Sequence, residues 1–393
     1  MKQIYFDAIA GTPIYPEVWR EMEPFIKNEF GNPQSLHSFG EGPRAAIEKA
    51  RERIAKLIGA NKEEIYFTSS GSEANNFAIK GLAFAYQNKG KHIILSSIEH
   101  QSILNSAKFL EKLGFKFSYV PVDKYGIVDP DDVRKFINKE TILVSVMLAN
   151  SEIGTIQPIE EIARICHERD VLFHTDAVGG IGYLPIDVSK LGVDSMSLSA
   201  TQMYGPKGVG ALYLRKGTRI IPLIHGGIQE EGKRAGTENV AGIVGFGKAA
   251  ELALEKMEDR NKKLIRLRDK IIAEFPQKVE NVYLTGHPKK RLPYHSSFCV
   301  EYIEGEAMLL SLNMKGIAAS SGSACTSRTL KASHVLLAMG YSHALAQGSI
   351  VFSFIEDNKE EEIDYLLEVF PPIIKRLREM SPLYNKQITK EDR

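Results

Sequence analysis

Short apolar runs alternate with amphipathic stretches through the first half of the chain, and this alternation limits its possible folds more than any other feature. The runs KHIILSS, ILVSVML, VLFHTD, DSMSLS and GALYLR are typical of buried strands. Between them lie helical patterns such as PRAAIEKARERIAKLIG, in which apolar residues recur on one face. This order predicts right-handed crossovers and an α/β fold with a mostly parallel sheet covered by helices on both sides.

The pattern changes from about Val240 onwards. A chain of 393 residues predicts two domains, because a single hydrophobic core seldom grows that large. A long charged helical pattern over about residues 245–274 leads into a mixed region in which SSFCVEY is a strand candidate. The last helical segment contains Pro371 and Pro372, which predict a break or a kink.

Charge and cysteine content exclude several classes of function. The formal net charge of +1 gives no electrostatic basis for binding nucleic acid or an anionic membrane. The start MKQIYFDAIAG lacks the apolar core of a signal peptide, and no apolar stretch approaches the ~20 residues that span a bilayer. The cysteines Cys166, Cys299 and Cys325 form no paired framework. We therefore expect a reducing, cytoplasmic location.

Three motifs place polar residues next to predicted strands. TSSGSEANNFAIKG, residues 68–81, is a small-residue turn entering a helix, where backbone N–H groups and the Ser72 hydroxyl suit a phosphate; an ordinary Ser N-cap fits equally well. HTDAVGG puts Asp176 at the carboxyl end of a strand, where ligands bind in open α/β sheets, although a lone Asp is more often a cap. IEHQS puts His100 at the same edge, where a lone His is as often structural as catalytic.

The cysteines differ in their sequence surroundings. SSGSACTS sets Cys325 among small residues, whereas Cys299 lies in an apolar pattern typical of a buried thiol. Cys325 is therefore the candidate for a reactive thiol or a metal ligand, on a loop that we predict to be mobile because its side chains bury little apolar area. An inert thiol at the sheet edge is the alternative. Cys166 and His167 do not share a helix face, which argues against a metal pair.

Taken together, these stretches resemble the cysteine desulfurases, proteins of the class V aminotransferase fold that use pyridoxal 5′-phosphate (PLP). The resemblance runs almost from end to end and is carried, in one order, by YFDAIAGTP, FGNPQSLHSFG, FTSSGSEANN, NSEIGTIQP, HTDAVGG, YGPKGVGALY, RAGTENV, SSGSACTS and SPLY. It implies a PLP fold-type I homodimer. It also implies a large domain over residues 15–250 and a small α+β domain, made of residues 1–14 and 251–393, that carries the cysteine loop.

The resemblance implies a PLP pocket that is partly retained. Ser72 matches the hydroxyl that holds the phosphate, His100 matches the His that stacks on the ring, and Asp176 matches the partner of the pyridine nitrogen. Ser199 matches a further phosphate contact. Thr237, in RAGTENV, matches a hydroxyl lent by the neighbouring subunit.

The central departure from the family is Gln202, which stands where the Lys that binds PLP as a Schiff base is expected. An amide nitrogen is not nucleophilic and cannot serve as a base. Thr201 replaces the adjacent His. Lys207, in YGPKG, is an unfavourable substitute nucleophile, because the family has a Lys there in addition to the catalytic one.

Other departures affect contacts with the cofactor and the substrate. Ser151 and Gly179 stand where the family has an Asn and a Gln that contact the ring oxygen. Glu356 aligns with the Arg that holds the substrate carboxylate, and a Glu there would repel it.

Three hypotheses follow. The favoured one is a desulfurase-like protein of iron–sulfur cluster assembly without covalent PLP, in which Cys325 acts with a scaffold protein as a sulfur carrier or as a ligand of a shared iron–sulfur cluster, since thiolate is the usual ligand of such clusters. The second is an enzyme that holds PLP, or its amine form, without a covalent bond and uses His100 as the base. The third is a regulatory subunit that pairs with an active desulfurase and lends it Thr237.

Overall fold

A computed structural model describes residues 3–322, 332–382 and 384 of the chain. The predicted mobile loop around Cys325 lies outside the described residues. The strands are β1 (Ile4–Tyr5), β2 (Ile65–Thr68), β3 (His92–Ser96), β4 (Lys116–Val120), β5 (Thr141–Ser145), β6 (Leu172–Asp176), β7 (Ser195–Ser199), β8 (Gly210–Leu214), β9 (Val282–Leu284), β10 (His295–Val300), β11 (Ile317–Ala318) and β12 (Ser349–Ser353).

Helices connect most of these strands. They are α1 (Pro16–Lys27), α2 (Ser38–Ile58), α3 (Gly71–Tyr86), α4 (Gln101–Glu111), α5 (Pro130–Phe136), α6 (Ile159–His167), α7 (Val188–Leu191), α8 (Val240–Lys278), α9 (Gly305–Asn313), α10 (His334–Ala338), α11 (His343–Gln347) and α12 (Glu360–Glu379). Short 3₁₀ helices occur at Lys62–Glu64 and Gln229–Gly232. In the described part of the chain, no helix combines the length and the apolar character needed to cross a membrane.

The main sheet has seven strands in the order β2-β8-β7-β6-β5-β3-β4. Strand β8 is antiparallel to both of its neighbours, and the pairs from β7 to β4 are parallel, which confirms the predicted α/β fold. The five predicted strands correspond to β3, β5, β6, β7 and β8. Ile94 of β3 belongs to one apolar cluster, and Ile93 and Leu95 belong to another. Because side chains alternate along a strand, both faces of the sheet are covered.

A second apolar core joins the two ends of the chain. Strand β1 pairs in parallel with β11, and β10 pairs with both β12 and β9 in an antiparallel sheet. Phe6, from the start of the chain, packs with Phe352 and Phe370 in this core. The division into domains at residue 250 stays a prediction, and the single helix α8 runs across that position.

Of the break or kink predicted at Pro371 and Pro372, the break is wrong and the kink stays a prediction. Helix α12 continues through both prolines. Phe370 and Ile374, which flank them, are buried in the second core. Burial of apolar side chains along this stretch therefore outweighs the backbone hydrogen bonds that the prolines cannot make.

Candidate functional site

The carboxyl edge of the main sheet brings the predicted site residues together. Strand β6 ends at Asp176, β7 ends at Ser199, and β3 ends four residues before His100. Strand β2 is antiparallel to β8, which is itself antiparallel to β7, so β2 runs in the same direction as β7. The turn after β2, which leads to Ser72, therefore opens at the same edge.

A cleft of about 470 Å³ lies at this edge. Its volume falls within the range of small-molecule and cofactor sites. The residues matched to the family's PLP site that line it are Ser72, His100, Asp176 and Ser199. The departures from the family that line it are Ser151, Gly179, Thr201 and Gln202. Further lining residues come from two other parts of the chain. Asp7 and Ile9 lie near the chain start, Ser320 follows β11, and Val351 lies in β12.

The start of α3 forms one end of the cleft. Ser70, not Ser72, is the N-cap, since its Oγ accepts a hydrogen bond from the Glu73 N–H at 3.1 Å. A Cβ atom on Gly71 would lie 2.6 Å from Val178 Cγ2, so this position requires glycine for the close approach of the helix to the loop after β6. Ser72 is exposed in the first turn and lines the cleft. Backbone N–H groups at a helix start attract an anion. Because Ser70 serves as the N-cap, the Ser72 hydroxyl is available to the same ligand.

A chain of hydrogen bonds links Asp176 to His100. Asn75 Nδ2 donates to Asp176 Oδ2 at 2.6 Å and to Ser102 Oγ at 2.9 Å. The other carboxylate oxygen, Oδ1, accepts from the Val178 N–H at 2.9 Å. Ser102 Oγ lies 2.7 Å from His100 Nδ1. The Asp176 carboxylate is thus held in one orientation at the end of β6, where it can accept a hydrogen bond from a ligand.

The tautomer of the neutral His100 ring follows from its role at the start of α4. Its Nδ1 atom accepts a hydrogen bond from the Ser102 backbone N–H at 3.2 Å. A ring nitrogen that accepts from an amide carries no proton, so the proton of the neutral ring is on Nε2. Ser102 Oγ then donates to the same Nδ1. His100 therefore presents its other ring nitrogen as a donor.

Gln202 occupies the loop after β7 with a fixed amide orientation. Its Nε2 donates to the backbone oxygen of Ile9 at 3.1 Å, and its own backbone oxygen accepts from the Tyr183 hydroxyl at 3.0 Å. A carbonyl oxygen can only accept, so the amide nitrogen must face Ile9 and Oε1 must face away. Oε1 is buried and has no donor among the described residues.

Two carboxyl groups of the same cleft have raised pKa values, that of Glu99, which is fully buried, and that of Glu152, which is partly buried. Burial raises the pKa of Glu99 to about 8, although hydrogen bonds from Ser96 Oγ at 2.6 Å and Met147 N–H at 2.8 Å oppose this shift. Burial also raises the pKa of Glu152 to about 7, opposed by a hydrogen bond from the Ser333 hydroxyl. Both groups lie in surroundings that disfavour a negative charge.

The lining of the cleft contains no Lys or Arg among the described residues. Glu356, predicted to face a substrate carboxylate, lies elsewhere: the Tyr15 hydroxyl donates to its side chain, and its backbone N–H donates to Tyr204 Oη at 2.6 Å. It follows the end of β12 on a loop, whereas Val351 within β12 lines the cleft. The prediction that Glu356 faces a substrate carboxylate was therefore wrong. The segment still offers no cation to a substrate, because its residue in the cleft is the uncharged Val351.

The two remaining departures near the predicted ring position do line the cleft. Ser151 accepts a hydrogen bond at its backbone oxygen from His295 at 2.9 Å. Gly179 accepts one at its backbone oxygen from the Tyr294 hydroxyl at 2.8 Å, and a Cβ atom there would lie 3.3 Å from the Ala149 oxygen. Lys207 is exposed and does not line the cleft.

Two predicted site residues are not brought to the cleft. Thr237 is exposed and lines a separate cavity of about 220 Å³ together with Glu230 and Arg234. Cys325 lies outside the described residues. Within those residues, no group of three or more His, Cys, Asp or Glu side chains is placed to hold a metal ion. Cys166 and Cys299 are buried, and burial raises the pKa of the Cys299 thiol to about 12.

Sequence reasoning missed several residues of the cleft. Asn75 lies inside the motif that supplied Ser72, and Glu99 directly precedes His100, so both were adjacent to recognised signals. Glu152 likewise directly follows Ser151 in NSEIGTIQP, whereas His334 gave no such signal. His334 comes from α10, and its Nε2 lies 3.0 Å from the Glu99 backbone oxygen. Only the packing of α10 against the loop after β3 reveals it.

Comparison with known proteins gives consistent matches over nearly the whole chain. The sequence matches the family described as class-V aminotransferase over residues 4–366. It is 53% identical over 381 residues to cysteine desulfurase IscS of Dictyoglomus turgidum, covering 97% of both chains. It is 54% identical over 386 residues to cysteine desulfurase IscS of Clostridium botulinum strain Hall, covering 98% of this chain and 97% of that relative. A solved NifS-like protein matches with a TM-score of 0.90 and 39% identity, covering 95% of this chain and all of the other.

The family match covers the strands of all three sheets. The chain therefore has the class-V aminotransferase fold, PLP fold-type I. Relatives that share about half of their residues over almost the full length define the narrower group. The chain belongs to the cysteine desulfurase family.

Proposed function

We propose that this chain is a desulfurase-family protein of iron–sulfur cluster assembly that does not bind PLP covalently. In this proposal it acts through Cys325, as a carrier of sulfur or as a ligand of a cluster shared with a scaffold protein. The observation that carries the proposal is Gln202, whose amide is bound to the Ile9 carbonyl at the position of the family lysine. An amide supplies neither a nucleophile nor a base there.

The residues of the cleft fit the phosphate and the ring nitrogen of PLP. They do not offer an amine that could bind its aldehyde carbon. The start of α3 with Ser72 suits the phosphate, and the fixed Asp176 carboxylate suits a protonated ring nitrogen. When bound, PLP supplies an electron-withdrawing ring that stabilises a carbanion on its substrate. No amine of the described lining can attach it. These features support a cofactor that is held without a covalent bond.

The structure gives less support to a PLP-dependent enzyme that uses His100 as its base. Nδ1 already accepts a hydrogen bond from the Ser102 N–H, and Nε2 carries the proton in the neutral ring. Accepting a substrate proton at Nδ1 would break the N-cap of α4. For this reason we favour a role of His100 in contacting a ring over a role as base.

The position of Thr237 supports a dimer. It is exposed and lies away from the cleft of its own chain, which is compatible with a hydroxyl lent to a neighbouring subunit. A second copy of this chain is the simplest neighbour. An active desulfurase in the same place would make this chain a regulatory subunit, and analysis of the subunits that co-purify distinguishes the two assemblies.

The role of Cys325 is tested by cluster assembly with the scaffold protein of the same genome. Iron and sulfide are added under anaerobic conditions, and complex formation and cluster retention are compared for wild type and Cys325→Ala. Cys166→Ala is the matched control, because Cys166 is wholly buried in α6. We expect cluster retention to fall only in Cys325→Ala. Equal retention in all three proteins would show that Cys325 is not a ligand of the cluster.

A further inference from the structure

We propose that the cleft selects a phosphorylated ring compound that carries a primary amine and no carboxylate, such as pyridoxamine 5′-phosphate, over the corresponding aldehyde. The inference rests on the proposed function, in which nothing is attached covalently at position 202. It goes further by assigning to Gln202 a positive role as the residue that recognises the amine.

The selectivity follows from the orientation of the Gln202 amide. Because Nε2 faces the Ile9 carbonyl, the unpaired Oε1 is the atom left for a ligand. An amide oxygen accepts a hydrogen bond from an ammonium group, and such charge-assisted bonds are stronger than neutral ones. An aldehyde oxygen is itself an acceptor and would leave Oε1 buried without a donor. Leaving a buried polar atom unpaired is the costlier case, which favours the amine by about tenfold or more.

A second buried acceptor atom, Asn75 Oδ1, also lacks a hydrogen-bond donor among the described residues. Asn75 is 1% exposed, and its Nδ2 is committed to Asp176 and Ser102. Its Oδ1 therefore faces away from both, and it too has no donor within residues 3–322 and 332–382. Two amide oxygens of one cleft that lack donors indicate a ligand rich in N–H groups.

The absence of a carboxylate on the ligand follows from the charges of the lining. Asp7, Glu99, Glu152 and Asp176 all line the cleft, and no Lys or Arg of the described residues does. Within β12, the side chain that lines the cleft is the uncharged one of Val351. A carboxylate would thus find no counter-charge among the described lining residues, whereas an ammonium group would be attracted to the Asp176 carboxylate. The phosphate of the ligand would lie at the start of α3, a helix of 16 residues.

The test is calorimetric titration of the apoprotein with pyridoxamine 5′-phosphate, PLP, and pyridoxine 5′-phosphate, which carries a neutral hydroxymethyl group. We expect the amine to bind at least about tenfold more tightly than the aldehyde, with the hydroxymethyl compound between them. In Gln202→Met, which keeps the length of the side chain and loses its oxygen, the amine and the aldehyde should bind within about threefold of each other. Gln87→Met, at the exposed end of α3, is the control and should keep the wild-type order.

Several outcomes would overturn the inference. Equal affinities for amine and aldehyde in wild type would do so, and this comparison holds even if Gln202→Met does not fold. An unchanged preference in folded Gln202→Met would show that its oxygen is not the recognition group. Failure of all three compounds to bind would overturn the inference while leaving the proposed function intact. A borohydride-stable PLP adduct in the cleft would instead contradict the proposed function and the inference together.

Discussion

Replacing Glu99 with Gln should remove a loss of stability that the wild-type protein suffers as the pH rises. The Glu99 side chain is fully buried, and Ser96 and Met147 donate to its Oε1. Burial, with a smaller contribution from the negative charge of Asp176, raises its pKa to about 8 from an ordinary value of 4.5. The folded protein therefore keeps this carboxyl group protonated at neutral pH.

The sign and size of the effect follow from proton linkage. Between pH 4.5 and 8 the unfolded chain loses the Glu99 proton while the folded chain retains it, so the free energy of unfolding falls as the pH rises. Each pH unit in this window costs up to about 1.4 kcal/mol, which gives about 4 kcal/mol from pH 5 to pH 8. For a chain of 393 residues this corresponds to about 5 °C in Tm. Gln keeps an oxygen that accepts both hydrogen bonds and has no proton to lose.

The assay is thermal unfolding of the apoprotein between pH 5 and pH 8.5, followed by circular dichroism. The Tm of wild type should fall by about 5 °C relative to that of Glu99→Gln as the pH rises through this range. Glu361→Gln, which changes an exposed carboxylate on α12, should follow wild type. Parallel curves for wild type and Glu99→Gln would refute the reasoning, because they would show that Glu99 is already ionised in the folded protein.

Two further substitutions test the site and the fold. Gln202→Lys should restore covalent attachment of PLP, seen as visible absorbance. It should not restore full cysteine desulfurase activity, because Val351 still supplies no charge for a substrate carboxylate. Sulfide release at the rate of an active family member would contradict this expectation. Arg51→Met should destabilise the protein by about 3 kcal/mol in urea unfolding, because it leaves the buried Glu230 without the guanidinium that donates to it twice at 2.8 Å. A loss below about 1 kcal/mol would mean that this pair is open to water.

The sequence predicted the placement of the cleft because that placement depends on short-range patterns. Apolar runs identified the strands, and residues that follow parallel strands must meet at one edge. Ser72, His100, Asp176 and Ser199 therefore came together as expected. The unbroken α12 could not be predicted in this way, since it depends on contacts with residues far away in the chain.

Finer features of the cleft depend on side-chain geometry that spacing does not encode. Glu356 aligned with an expected substrate contact, yet the chain leaves β12 before reaching it, and Val351 within the strand lines the cleft. The tautomer of His100 and the orientation of Gln202 follow from hydrogen bonds to Ser102 and Ile9. Neither partner has a distinguishing sequence signal.

The most direct test of the central claim is absorption spectroscopy in the presence of PLP, followed by reduction with borohydride, desalting, and mass measurement of the intact chain and its peptides. Gln202→Lys is the positive control: it should show visible absorbance before reduction, lose it on reduction, and gain one reduced PLP adduct. The account predicts that wild type under the same conditions shows no pH-dependent visible absorbance and no adduct within the peptides that line the cleft. A single stoichiometric adduct on wild type, whether on Lys207 or on another residue reaching the cleft, would contradict it.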